Sequence, residues 1–325
     1  MDRDLGFKAR TVSPIMLVAF NRPLALTRQL ERIEVECSRV VEVFIDGPKS
    51  ESDPSQLEVI RIASTWAKQT HHDVNIYVSQ INFGIREHFP YIAERFFSKH
   101  NSGIILEDDI YFSSAFFDYC DNFLSLDTES KLWSICGHNP TSNILSTDSK
   151  INYTFLSNIH TIHGWATNAN SVERFLEFRA KPASEILKSI SSVSKKLTFD
   201  PMLRKSFELT WKRKFLRSIS ENGGGSWDNS WELAGWFNQA HSIMPSFSLT
   251  REDNSTNEGG THSFTRSSTK QIMQFHLPID YEFSSLERRR DIKMMKVWGI
   301  TRKYSWAYWG RVRRQLLELE NTKIK

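Results

Sequence analysis

Cysteine is scarce in this chain. Cys37, Cys120 and Cys136 are odd in number and unpatterned across 325 residues, so they imply neither a disulfide framework nor a thiolate zinc centre. A reducing, cytoplasmic setting is the expectation. Long apolar runs are missing as well, for none approaches the roughly 20 residues that a membrane-spanning helix needs. The opening stretch MDRDLGFKARTVSP is polar and lacks the apolar segment of a secretory leader. There is no internal repeat. Low complexity is confined to ENGGGSWDNSW and REDNSTNEGGTHS, both of which read as loops. With 39% apolar and 25% charged residues, the composition argues against disorder. The length suits one large domain or two modest ones.

A net positive charge is also missing outside one region. Residues 287–325 hold 12 Lys or Arg against 4 Asp or Glu, a local excess of +8 in a chain whose total is +4, which leaves the preceding residues at −4. The basic character belongs to the tail.

What the sequence does contain is an alternation of short apolar runs with helical periodicity. SPIMLVAF, VVEVFIDGPK, VNIYVS and GIILEDD read as strands. LALTRQLERIEV, PSQLEVIRIASTWAKQ, IREHFPYIAERFFSKH and SAFFDYCDNFLSL read as the helices between and after them. That order predicts an α/β layer with a largely parallel sheet. Ligands of such sheets gather beyond the carboxyl ends of the strands. Asn21, Arg22, Asp46 and the acidic triplet Glu107, Asp108 and Asp109 all fall just past strand ends. Beyond Leu132 the expectation is shorter strands and loops, then mainly helix to about Ser220.

Three adjacent acids at the end of a buried strand repel one another unless something positive neutralises them. A hard divalent cation with oxygen ligands does so, and diphosphate oxygens complete its coordination. The alternative is a turn and N-cap ahead of SSAFFDYC. Farther on, SWDNSWE offers Asp228 as a carboxylate base for an acceptor hydroxyl. There the alternative is that Trp227 and Trp231 pack one helix face while Asp228 caps it.

The ordered set SPIMLVAFNRP, VEVFIDG, NFGIREHFPYIAERFF, GIILEDDIYFSSAFFDYC, GWATN and SWDNSWE resembles nucleotide-sugar glycosyltransferases of the GT-A fold. Those similar to N-acetylglucosaminyltransferase I and their bacterial relatives are the nearest match. The resemblance spans roughly residues 12 to 265. It implies a Rossmann-like nucleotide-diphospho-sugar transferase fold with a mostly parallel sheet and helices on both faces. It further implies an inverting, metal-dependent transfer from a nucleotide sugar, a UDP-sugar above all, to a hydroxyl of a glycan or lipid-linked acceptor. By position in the motifs, Arg22, Asp46 and His88 would serve the nucleotide, and Asp108 the ribose and sugar. Asp109 would bind manganese or magnesium, with Glu107 in support. Asp228 would be the base, although one extra residue before Trp231 leaves Glu232 as its rival. Gly164, Trp165 and Trp227 would lie on the acceptor side, with a core Trp as the competing reading. His262 would reach the metal or a phosphate from a mobile loop.

This reading divides the chain into a leader (1–11), a nucleotide-sugar half (12–125), an acceptor-binding and catalytic half of the same domain (126–285) and a basic aromatic tail (286–325). The tail, with Trp298, Trp306 and Trp309, fits a peripheral contact with the inner face of the cytoplasmic membrane or a terminal helix packed on the domain. No nucleic-acid fold signature accompanies its arginines. Two rival functions remain at this point: a nucleotidyltransferase or sugar-nucleotide hydrolase, and a non-catalytic sugar- or membrane-binding module.

Overall fold

Every residue of IMLVA is buried, and this segment forms strand β1 (Ile15–Ala19) in the interior of the sheet. The structure is a computed structural model that describes residues 12–50, 53–142, 154–197, 201–219, 226–253 and 291. Expectations for the leader, for His262 and for the tail other than Asp291 lie outside the described residues. Parallel neighbours of β1 are β2 (Val40–Ile45) and β4 (Ser102–Glu107), and β3 (Asp73–Val78) extends the sheet beyond β2. Beyond β4 come β8 (Trp165–Asn168), β6 (Leu132–Cys136), β9 (His241–Pro245) and β7 (Thr154–Ser157), giving an eight-stranded order β3-β2-β1-β4-β8-β6-β9-β7. β8 is antiparallel to β4 and β6, and β7 is antiparallel to β9, so the sheet is mixed. One sheet therefore spans both halves of the chain.

The helices are α1 (Pro23–Glu34), α2 (Pro54–Ala67), α3 (Gly84–Phe97), α4 (Phe116–Leu126), α5 (Ala169–Arg179), α6 (Ala183–Leu197), α7 (Pro201–Ile219) and α8 (Asp228–Phe237). Because alternate strand residues point to opposite faces, β1 feeds two cores. Ile15, Leu17 and Ala19 pack with Leu26, Leu30 and Ile33 of α1 and Phe116, Phe117 and Phe123 of α4. Met16 and Val18 face the side where Phe89, Ile92 and Phe96 of α3 meet Phe175, Trp227 and Trp231. Helices thus cover both faces of a mostly parallel sheet, an α/β architecture compatible with the Rossmann-like expectation. Among the described residues, no helix is long and apolar enough to cross a membrane.

Local chemistry explains several boundaries. Asp53 caps α2 by accepting from the Ser55 and Gln56 amides at 3.1 and 3.2 Å, with Pro54 at the first helical position. Pro90 sits inside α3 and has no N–H to give the carbonyl four residues back. That freed Arg86 carbonyl instead accepts from Arg179 at 3.5 Å.

Two short strands were not expected from the sequence. β5 (Ile110–Phe112) follows the acidic triplet at once and pairs antiparallel with β10 (Thr250–Glu252) as a separate two-stranded ribbon. The sequence pattern places Arg251 and Glu252 at the start of a loop, REDNSTNEGGTHS. The partner strand fixes them, a long-range pairing that local composition does not announce.

Candidate active site at the switch point of the sheet

Strand order reverses between β1 and β4, because the chain proceeds from β1 to β2 and β3 on one side and then returns to β4 on the other. The crevice beyond the carboxyl ends of those two strands is where open α/β sheets bind ligands. Val18 pairs in register with Glu107, so the segment after β1 and the acidic triplet leave the sheet side by side.

Arg22 occupies the N-cap position of α1 without capping it, and its guanidinium reaches across the crevice. One nitrogen donates to Asp108 Oδ1 and the other to Asp109 Oδ2, each at 2.5 Å. The sequence suggested a cation between these acids. Among the described residues, an arginine stands there. Together the acids raise the Arg22 guanidinium pKa further, against the opposing effect of its burial.

The acids remain under strain of charge. Burial, reinforced by Asp109, pushes Glu107 up to about 8. Burial also pushes Asp108 up to about 7, although Arg22 pulls the other way. Asp108 is buried, and its Oδ2 has no hydrogen-bond partner. Asp109 is the more open of this pair, with 16% of its side chain exposed.

A further acid and an imidazole join from the ribbon and from the turn before β8. Glu252 pairs with His163 Nδ1 at 3.2 Å. Burial alone would lower the His163 pKa, but Glu252, Glu107 and Asp109 together raise it. The turn that delivers His163 requires glycine at 164. Gly164 has φ +70°, and a Cβ there would meet Thr250 Cγ2 at 2.8 Å and Ile110 Cγ2 at 2.9 Å. Thr250 Oγ1 donates to the His163 carbonyl and ties the ribbon to this turn. The Asp253 amide donates to the Asp109 carbonyl at 2.6 Å, so the ribbon also buttresses the triplet.

The described crevice thus gathers four carboxylates, Glu107, Asp108, Asp109 and Glu252, around the Arg22 guanidinium and the His163 imidazole. A divalent cation would balance the excess. All four acids offer hard oxygen donors, which suit magnesium or manganese, and the unpartnered buried oxygen of Asp108 marks missing positive charge. The donor chemistry of these residues suits such an ion, although their ligand atoms do not converge to ligand spacing while Arg22 holds Asp108 and Asp109. Asp109, Glu107 and Asp108 would hold it.

Asp46, at the end of β2, is engaged on both oxygens. Oδ1 accepts from the Gly47 and Phe83 amides at 2.8 and 2.9 Å, and Oδ2 from the Gly84 amide at 2.9 Å and Asn82 at 3.3 Å. It therefore pins the start of α3 to β2. Gly47 permits the close approach, since any Cβ there would run into the Ile81 backbone. His88, on the first turns of α3, is buried with Nε2 unpartnered, and burial lowers its pKa against the opposing charge of Asp46. These two residues lie together, two strands over from the triplet with β1 between.

Trp165 and Trp227 are in the core. Trp227 stacks on Phe89 with ring centres 3.5 Å apart, and Trp165 packs on Trp231 at 4.7 Å and Trp227 at 6.0 Å. Both are 1% exposed, so neither ring presents a face to a sugar. Gly164 acts through the backbone turn described above.

Asp228 opens α8, half-buried, and accepts from the Asn229 amide at 2.7 Å. Glu232, one turn later, is 4% exposed, and its Oε2 accepts from the His160 amide at 3.1 Å while Oε1 has no partner. Burial pushes Glu232 up to about 8. Lys214 of α7 lies near both acids, and its pKa is lowered by burial. Of the two, Asp228 is the more exposed.

His163, Glu252 and the ribbon escaped the sequence reading. His163 merely precedes GWATN in the sequence, and nothing local marks its pairing with a residue 89 positions later. Comparison of the chain with protein-family models and with curated proteins finds no match.

Proposed function

We propose that this protein is a metal-dependent, inverting glycosyltransferase that moves a sugar from a nucleotide diphosphate, a UDP-sugar above all, to a hydroxyl of a glycan or lipid-linked acceptor. One observation carries the reading: the switch-point crevice between β1 and β4 brings an excess of buried and half-buried carboxylates together with Arg22. The motif resemblance supplies the reaction class.

In this reading the diphosphate lies at the carboxyl ends of β1 and β4. A divalent cation held there supplies positive charge that offsets the charge building on the departing diphosphate. Arg22 is a cation already in place, and it exchanges its contacts with Asp108 and Asp109 for phosphate oxygens. Asp228 takes the proton of the acceptor hydroxyl at its carboxylate. The hydroxyl oxygen bonds to the anomeric carbon as that carbon's bond to the diphosphate breaks. Glu232, closed off by His160, shapes the electrostatics of α8 without touching the acceptor.

A thermal-shift panel of nucleotide sugars, with and without manganese, tests the reading. Stabilisation should require a nucleotide sugar and the metal together, and no shift with any nucleotide would refute it. Asp109→Asn should remove the metal dependence. Asp228→Asn should keep donor binding and lose transfer, so normal turnover by that variant would exclude it as the base.

A further inference from the structure

A second cluster of ligating side chains lies at the opposite end of the strands from the crevice, beside the start of edge strand β3. Glu34 ends α1, while His71 and His72 form the turn that leads into the start of β3. One ligand atom from each of the three lies within 4.8 Å of the others, a grouping found at no other place among the described residues.

The hydrogen bonds around these side chains orient them as the neighbours of metal ligands do. A ligating imidazole commonly donates its other ring N–H to a carbonyl, which fixes the tautomer and aims the lone pair. His71 Nε2 bonds the Glu36 carbonyl at 3.0 Å, which leaves Nδ1 directed at Glu34 Oε1, 3.1 Å away. His72 Nε2 bonds the Ile33 carbonyl at 3.0 Å, which leaves its lone pair on Nδ1. Glu34 is held through Oε2 alone, by Trp66 Nε1 and Thr70 Oγ1, each at 2.6 Å, and so Oε1 is turned to His71.

The spacing suits a small ion. With metal–nitrogen bonds of about 2.0 Å, tetrahedral ligands stand about 3.3 Å apart, close to the 3.1 Å between Glu34 and His71. Closing the remaining gap to His72 gives up one bond, the 3.2 Å contact from the Arg39 amide to Nδ1. That is the longest of the bonds to these three side chains. Solvent reaches the cluster through Glu34 and His71, whose side chains are 39% and 47% exposed.

We propose that Glu34, His71 and His72 form a binding site for a borderline divalent cation, zinc above all, with a water in the fourth position. Two imidazoles and one carboxylate favour zinc over the hard ions that suit the acidic triplet. The bound ion clasps the end of α1 to the turn between α2 and β3. It lies away from the crevice, so its role is to hold the fold's edge.

Isothermal titration of zinc chloride into the full chain tests this. Wild-type protein should bind zinc, with affinity weakened at least tenfold in His71→Asn and Glu34→Gln and unchanged in Asp109→Asn. Cobalt should give the intense visible absorption of a tetrahedral site, lost in His71→Asn. His71 is exposed, so this variant keeps its fold, which a melting curve without metal checks. Absence of zinc binding, equal zinc affinity in His71→Asn, or a weak octahedral cobalt spectrum would each overturn the proposal.

Discussion

Glu232→Gln should stabilise the protein at neutral pH, by an amount that grows as pH rises. The carboxyl is buried, has one partner in the His160 amide, and keeps a proton up to about pH 8. In the unfolded chain the same group ionises near 4.5. Between those two values the folded state binds more protons than the unfolded state, so this group's contribution to stability falls with pH. Full below pH 4.5, it declines by about 1.4 kcal/mol per pH unit and then levels off above pH 8. By pH 7 the accumulated loss is about 3 kcal/mol, and a neutral glutamine does not suffer it. Urea unfolding of wild type and variant at pH 5, 6, 7 and 8 measures the difference directly. The gap should be smallest at pH 5 and widen toward pH 8. If Glu232 is instead ionised and paired with the nearby Lys214, glutamine will destabilise the protein at every pH, and the reasoning fails. Turnover of this variant should stay close to wild type, in contrast to Asp228→Asn.

Three other outcomes follow from the geometry. Asp121→Ala removes the partner of buried Arg39, bonded at 3.0 Å, and leaves an uncompensated charge; it should cost about 3–5 kcal/mol in urea unfolding. Asp46→Ala removes the acceptor for the Phe83 and Gly84 amides at the start of α3, and should lower stability by about 1–2 kcal/mol by the same measurement, with or without nucleotide. Gly164→Ala forces a side chain into a positive-φ turn against Thr250. It should cost about 1–3 kcal/mol and weaken manganese-dependent donor stabilisation, because the turn carries His163.

Much of the α/β framework was legible because its elements are defined by short-range patterns. IMLVA is an unbroken apolar run, VVEVFI is interrupted only by Glu42, SGIILE carries its apolar residues between Ser102 and Glu107, and the helices between them show their apolar stripe. The acidic triplet stood out for the same reason, since three charges directly follow a buried strand. Asp46 stood out too, but sequence alone could not say that its oxygens would be engaged by the Phe83 and Gly84 amides. Nor could it tell a core tryptophan from a sugar platform. Trp165 and Trp227 have neighbours from α3 and α8, and only the packing of those helices closes their faces.

The sequence by itself determined the alternation of strand and helix, the position of Arg22 just past β1 and of the triplet at the end of β4, where Glu107 is the last strand residue rather than the first beyond it, and the charge imbalance of the tail. Each follows from adjacent residues, whose apolar period or turn chemistry acts over a few positions. The tertiary structure decided the rest. It closed Arg22 onto Asp108 and Asp109, brought His163 to Glu252 through the β5–β10 ribbon, and set Glu34 beside His71 and His72. Those contacts join residues distant in sequence, and the free energy that fixes them comes from burying the two faces of one sheet.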